Sequence, residues 1–468
     1  MNYPVVRIGR ILISNIKCVT SGNIDFNVTS ALSQEKASIM GIYGQNGSGK
    51  TVVVEVLAII KSILSGKQIA SRFLDIISYG EKTGCIEIDL SVHGEEAIDC
   101  VITYKCELEQ RENPNESSIE NDVVVGKAST AILSVTNESL KISGIYMGVK
   151  YHKQYIAQTD ENQSLIKPDN KRRLLFGDDE NTLKKLEKNK ILALYGSRSF
   201  IFSNQVTEVI DNTSKQGLGS IIYLIQFFAR NHLFIVDVNT LSDAPFIFQY
   251  TRKESKYSGI SGTICFPLGD KAVLRKNAIN TFESFIPSLN LVLSSMIPGL
   301  KIGFKSKKAS LDENDDKYEI ELFASRNPEY EFPLRHESMG IKRIISYLAL
   351  IIAVYNDSHF VLVVDEFDSS IFEFLLGELV GIIKDFGRGQ LVFTSHNLRP
   401  LEKLDDTSIC FTTTDPKKRY VRIKKKTTNN LRDMYFRLLS LGSSEYELYN
   451  SESKNAIAYA FRQAGWDE

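Results

Sequence analysis

"GQNGSGKT", residues 44–51, is the stretch whose reading decides the fold. It matches the spacing G-x-x-x-x-G-K-[ST] at every fixed position. The apolar run "ASIMGIY" precedes it and reads as a buried strand. "KTVVVEVLAIIKSIL" follows, apolar on all sides for several turns, and reads as a buried helix. Between a strand and a helix, this pattern is a phosphate-binding loop. Gly44, Gly47 and Gly49 let the backbone curl so that its N–H groups face phosphate oxygens, with Asn46 and Ser48 inside the same cradle. The helix N-terminus adds positive potential. Lys50 would reach the β- and γ-phosphates of ATP, and the Thr51 hydroxyl would ligate Mg²⁺.

Phosphate binding alone is not hydrolysis, which needs acid brought to the metal and the water. "VLVVDEFD" supplies it downstream. Asp365, after four apolar residues, is placed to hold Mg²⁺, and Glu366 to polarise the attacking water. Two adjacent carboxylates at the end of a buried strand are costly unless a cation accompanies them. A second apolar strand, "LVFTSHN", ends on His396, which in this order reads as a γ-phosphate sensor.

Outward from these motifs the chain alternates. "VRIGRILISNIKCV", "GNIDFNV", "CIEIDLSV" and "AIDCVITYKCEL" read as strands with polar outer faces, an antiparallel lobe. Residues 338–355 read as a helix, "HFVLVVDEF" as a strand, "SIFEFLLGELVGIIKDF" as a helix and "GQLVFTSHN" as a strand. Strand–helix alternation argues for a largely parallel sheet covered on both faces. "KIGFKSKK" and "KYEIELFA" suggest a hairpin, and 271–297 a helix broken or kinked at Pro287. The expected organisation is an α/β P-loop NTPase head. Its N-terminal half spans 1–122, a mainly helical insertion 123–300, its C-terminal half 301–430 and a tail 431–468.

The composition adds limits. With 468 residues the chain is long enough for two or three domains and a large core. Lys plus Arg number 56 and Asp plus Glu 57, a net charge of −1, so nothing in the whole-molecule charge draws it to nucleic acid or anionic lipid. The six cysteines show no ligand spacing and read as free thiols of a reducing compartment. The N-terminus lacks a signal-peptide pattern, and "ISYLALIIAVY" is too short to span a bilayer. The expectation is a cytoplasmic protein without a membrane role.

"GQNGSGKT", "SMG", "VLVVDEFD" and "TSHN" stand in the order found in ATP-binding-cassette (ABC) ATPases, and the chain resembles that family. The resemblance covers about 1–110 and 300–430. It is to the non-transporter branch of DNA-repair, chromosome-maintenance and overcoming-lysogenization-defect ATPases, including those of anti-phage defence systems such as PARIS. It implies a role for "HESMGIKR". In the family, this signature caps the nucleotide held by the P-loop of a second head. Ser338 and the Gly340 N–H would then serve a partner's γ-phosphate, with Lys342 or Arg343 adding charge from the same turn. Asp368 and Ser369 match the family's dimer-crossing loop. Ser338 reads equally well as the N-cap of the following helix. Gln154 and Gln158 are the candidates for the family's loop glutamine. No aromatic is evident for adenine stacking near 15–19.

The expected partners follow from this resemblance: a homodimer or higher homo-oligomer joined through ATP-bridged heads, and a separately encoded effector. About seventy residues follow His396, too few for the nuclease module of some relatives. The effector is therefore expected to be a distinct protein, a toprim-type nuclease. The stretch 123–300 would serve association or docking. "KKRYVRIKKK", 417–426, is a dense basic run that fits either a nucleic-acid contact or a charged edge strand. A DNA-repair ATPase that binds DNA directly is the alternative. A transporter subunit is disfavoured by the signature, which is not Leu-Ser-Gly-Gly-Gln.

Overall fold

The computed structural model describes residues 3–28, 36–95, 97–112, 131–160, 165–213, 217–237, 245–253, 259–309, 316–327, 330–369, 371–423, 430–441 and 454–464. From the N-terminus run β1 (Val5–Ile16), β2 (Val19–Asp25), β3 (Ser38–Tyr43), α1 (Lys50–Leu64), β4 (Thr83–Gly94), β5 (Ile98–Glu112), β6 (Ala131–Tyr146) and β7 (Val149–Gln158). Then come α2 (Asp169–Phe176), α3 (Glu180–Tyr195), α4 (Asn204–Thr213), α5 (Gly219–Asn231), β8 (Leu233–Val236), β9 (Pro245–Lys253), β10 (Gly259–Pro267), β11 (Ala272–Arg275) and α6 (Lys276–Met296). The last part holds β12 (Lys301–Lys308), β13 (Lys317–Asn327), β14 (Tyr330–Pro333), α7 (Met339–Asn356), β15 (Val361–Val364), α8 (Glu373–Phe386), β16 (Gln390–Thr394), β17 (Ile409–Thr412), β18 (Tyr420–Val421), α9 (Leu431–Leu441) and α10 (Lys454–Ala464).

Two sheets frame the molecule. One is antiparallel, in the order β2-β1-β4-β5-β6-β7. Its strands alternate: in β4, Ile86, Ile88, Leu90 and Val92 are buried while Glu87, Asp89 and Ser91 are partly exposed. Met147 and Gly148 turn β6 into β7 with φ of 50° and 77°, the left-handed backbone that a two-residue hairpin loop requires. The other sheet runs β18-β17-β3-β16-β15-β8, parallel throughout except for the edge pair β17–β18. β3, β15, β16 and β17 are buried at every residue, as a sheet covered on both faces demands. Met40, Ile42, Val361, Val363 and Val392 face the core shared with α1, α5 and the antiparallel sheet. Ile39, Leu362, Val364, Leu391 and Phe393 face the core built with α6, α7 and α8.

Burial overrides propensity in α1. Val52, Val53 and Val54 are β-branched and poor helix formers, yet all three are buried. At about 1.5–3 kcal/mol for each fully buried aliphatic side chain, packing outweighs a propensity cost of a few tenths. The two sheets are locked together by polar groups. Gln390 Oε1 accepts from the Ile8 N–H and its Nε2 donates to the Ile8 carbonyl, both at 2.9 Å. Arg7, wholly buried, donates to the carbonyls of Lys36 and Arg388.

The stretch 123–300 departs from the expected helical insertion. β6 and β7 within it continue the antiparallel sheet, and β8 joins the parallel sheet beside β15. Its described helices, α2 to α6, alternate with these and other strands. Residues 272–275, expected as helix, form β11, which pairs with β13. α6 continues through Pro287. The hairpin β12–β13 forms as expected, although 310–315 of its connection lie outside the described residues. α7 is long and apolar enough by composition to cross a membrane. Its Ile344, Ile345, Tyr347, Leu348, Leu350 and Val354 are instead buried in the core.

Candidate active site

The P-loop connects β3 to α1 at the carboxyl end of the parallel strands, where open α/β sheets bind ligands. Gly44 is pressed against β17. A Cβ there would lie 1.8 Å from Thr412 Oγ1. Gly49, the residue before the helix, has φ 92°, a conformation that glycine alone adopts freely. The curl is clamped from the far side. Ser48 Oγ donates to the Gln45 carbonyl at 2.6 Å and shares a 2.5 Å hydrogen bond with Thr412 Oγ1. Tyr420 OH donates to the Gly49 carbonyl at 2.9 Å. Arg419 packs along Gly49 and donates to the Cys18 carbonyl at 2.6 Å and the Thr413 carbonyl at 2.7 Å.

Lys50 is buried, and its ammonium donates to the carbonyls of Gly44 (2.8 Å) and Gln45 (2.9 Å). Burial lowers its pKa, while Asp365, Asp368 and Glu366 oppose the drop. Thr51 Oγ1 donates to Asp365 Oδ1 at 3.4 Å, which brings the P-loop and the acidic strand together. Asp365 has no solvent exposure. Its Oδ1 also accepts from Thr394 Oγ1 at 2.5 Å, and its N–H donates to the Val236 carbonyl at 2.9 Å.

Asp365 Oδ2 is sealed from solvent with no partner among the described residues. A buried carboxylate oxygen left open beside a threonine hydroxyl fits Mg²⁺. Among the described residues, no three His, Cys, Asp or Glu converge as a cage. A P-loop magnesium needs none, because it takes phosphate oxygens and water. Thr51 and Asp365 would hold it, and it would neutralise charge on the phosphates.

Glu366 leaves β15 with φ 47°, the left-handed region, uncommon for a residue with a side chain and worth about 1 kcal/mol or more in strain. Its N–H donates to Thr394 Oγ1 at 2.8 Å, so one threonine fixes both acids. His396 is exposed at the end of β16. Its backbone N–H donates to Asp368 Oδ2 at 3.0 Å, as does that of Asn397 at 2.9 Å. Desolvation, then the nearby Lys50, lower the imidazole pKa from its ordinary 6.5, so the ring is neutral at neutral pH.

Ser338 and Gly340 head α7. Ser338 is the N-cap: its Oγ accepts from the Ile341 N–H at 3.3 Å, and the residue is exposed. Among the described residues, no hydrogen bond joins either one to 44–51. Lys342 donates to the Arg335 carbonyl at 3.1 Å. Arg343 turns the other way and donates to Ser369 Oγ in its own chain. Gln154 and Gln158 lie on β7, at the sheet edge opposite β1 and β2, away from the Val19 contact with the P-loop. The basic run is not a uniform patch. Arg419 is buried behind the P-loop, Arg422 donates to the Asp25 carbonyl, and 424–429 lie outside the described residues.

Sequence reasoning passed over Thr394, Tyr347 and the Thr412–Tyr420 clamp. It also missed Asp237, which follows β8 as Asp365 follows β15 on the neighbouring strand and pairs with Arg72. The signal was present: "LFIVDV" has the same form as "VLVVDEF", an apolar run closed by acid.

Residues 265–402 match the sequence family described as "AAA domain, putative AbiEii toxin, Type IV TA system". That segment holds Ser338, Asp365, Glu366 and His396, but not the P-loop. No curated protein matches. Among solved structures, an SMC head bound to the C-winged helix domain of ScpA is similar at 13% identity and TM-score 0.42, over 89% of this chain and 98% of that one. The SMC head domain from Thermotoga maritima is similar at 13% identity and TM-score 0.37, over 90% and 100%. The recombination mediator RecF with ATP is similar at 12% identity and TM-score 0.35, over 90% and 100%. The parallel sheet, the P-loop and the acidic strand give this chain the α/β fold of a P-loop ATPase head.

Proposed function

We propose that the chain is the regulatory or sensor ATPase of a bacterial anti-phage, abortive-infection system. On this reading it controls a separate effector, a nuclease of the toprim type, as in PARIS-like systems. ATP joins two copies head to tail, so that Ser338 and the Gly340 N–H of one complete the site around the P-loop of the other. The observation that carries this reading is the exposure of Ser338 at the start of α7, with no hydrogen bond to its own P-loop among the described residues. A helix N-terminus with an exposed hydroxyl suits a phosphate. The family matched over 265–402 supports the setting, since its description names an AbiEii toxin and a toxin–antitoxin system. We assign effector docking to the 123–300 stretch, where α3 exposes Ile191 and Leu192.

Within the site, Lys50 and the loop N–H groups bind and orient the phosphates. Thr394 holds Asp365 and Glu366 in register. Glu366 takes a proton from the attacking water, and His396 contacts the terminal phosphate. Glu366→Gln removes the base and leaves the binding groups, so ATP should hold two copies together. Native mass with ATP and Mg²⁺ tests this. A dimer or larger assembly is expected, and a monomer with ATP bound would sink the composite site. Turnover that rises strongly on adding DNA, with no effector co-purifying, would favour direct DNA binding instead.

A further inference from the structure

Around the catalytic loop, four polar atoms are sealed from solvent and find no partner among the described residues: Tyr347 OH, Arg343 Nε, Asp368 Oδ1 and Asp365 Oδ2. The last is the oxygen left for the metal. The other three belong to side chains that meet at the same loop, and Tyr347 feels the charges of both Arg343 and Asp368. Arg343 and Tyr347 stand one turn apart on α7 and so share a face. Tyr347 is wholly buried, and its ring meets Phe367 edge-on at 5.5 Å between centroids. Phe367 is the residue between Glu366 and Asp368. Arg343 reaches the same loop through Ser369 Oγ. Both side chains therefore approach residues 366–369 from the α7 side.

Asp368 divides its carboxylate between two tasks. Oδ2 receives the N–H groups of His396 and Asn397, which fixes the His396 loop. Oδ1 is sealed from solvent, with no partner among the described residues. Burial pushes the Tyr347 pKa above its ordinary value, so the hydroxyl stays a neutral donor. Buried polar groups are rarely left unpaired, and ordered water bridges those that cannot touch.

We propose that Tyr347 is a positioning residue for ATP hydrolysis: through one ordered water its hydroxyl donates to Asp368 Oδ1, and this sets the carboxylate that aims His396. Arg343 Nε donates to the same water. The proposal rests on the ATPase reading above and adds a link from α7, the helix that begins at Ser338, to the His396 loop.

The test is steady-state ATP turnover of the full-length protein carrying Tyr347→Phe, Asp368→Asn or both, alongside a fluorescent-ATP titration. Tyr347→Phe keeps the ring and removes only the hydroxyl. The expected result is a kcat lower by about five- to twentyfold, with KM and nucleotide affinity within about twofold. The double variant should be no worse than Asp368→Asn by more than about twofold, because both act through one link. Unchanged kcat in Tyr347→Phe, multiplying losses in the double variant, or a loss of nucleotide binding would each overturn the proposal. Wild-type and Glu366→Gln controls separate the two readings. Turnover that depends on Glu366 but not on Tyr347 sinks only this inference, and wild-type protein without turnover sinks both.

Discussion

Replacing Gly44 with alanine tests how the P-loop is shaped. The added Cβ would lie 1.8 Å from Thr412 Oγ1, 3.1 Å from Thr412 Cβ and 3.0 Å from Ser48 Oγ. The first distance is far below any real contact, so something must move. Thr412 is fully buried on β17, and its hydroxyl is tied to Ser48 Oγ at 2.5 Å and the Tyr43 carbonyl at 3.2 Å. Relief therefore means losing those bonds or pushing the loop outward. Overpacking of this kind costs about 1–3 kcal/mol. Borne by the loop, that cost weakens ATP binding by about 5- to 150-fold. Thr412→Ala in the same chain removes the clashing oxygen, and the double variant should recover about tenfold in affinity over Gly44→Ala. Thr412→Ala alone gives up its hold on Ser48, worth about 1 kcal/mol. Titration with a fluorescent ATP analogue reads all three. Wild-type affinity in Gly44→Ala, or no recovery in the double variant, would refute the claim that β17 sets the shape of the loop.

Thr394→Val removes the hydroxyl shared by Asp365 and the Glu366 N–H, and kcat should fall by about 10- to 100-fold while the Mg²⁺ needed for half-maximal turnover rises; an unchanged Mg²⁺ titration would count against this role. His232, packed edge-on against Phe227, has its pKa lowered by burial to about 4 from the ordinary 6.5. The unfolded chain therefore binds the extra proton between these values, so this contribution to stability is intact above pH 6.5 and is lost as pH falls toward 4, by up to about 3 kcal/mol. His232→Phe should flatten that loss in urea melts run at pH 7 and pH 5; an equal acid loss in the variant would exclude His232 as its source.

Much of the site could be read from the sequence because its motifs carry their own geometry. "GQNGSGKT" needs its glycines and lysine wherever it occurs, and β3, β15 and β16 announce themselves as unbroken apolar runs. Strands β6 and β7 were harder to see. Register shifts between Leu140 and Lys141 and between Ile142 and Gly144 break the two-residue alternation that marks a strand. β8 is only four residues long and begins two residues after α5, so its apolar run merges with the helix. What no sequence pattern could show are contacts between distant segments: Thr412 on the P-loop, Thr394 beneath two acids, and Tyr347 behind Asp368. The exposed Ser338 is the reverse case. Its motif was legible, but the target we propose for it lies on a second copy of the chain.

The central claim, that one chain completes the site of another, is tested most directly by mixing two inactive variants. Lys50→Ala loses its own P-loop but keeps its signature. Ser338→Arg keeps its P-loop but blocks the site of its partner. In an equal mixture about half of the dimers pair one of each, and every such dimer holds one intact site of two. The account predicts about one quarter of wild-type turnover from two proteins that show none alone. No turnover in the mixture, or full turnover from Ser338→Arg by itself, would contradict it.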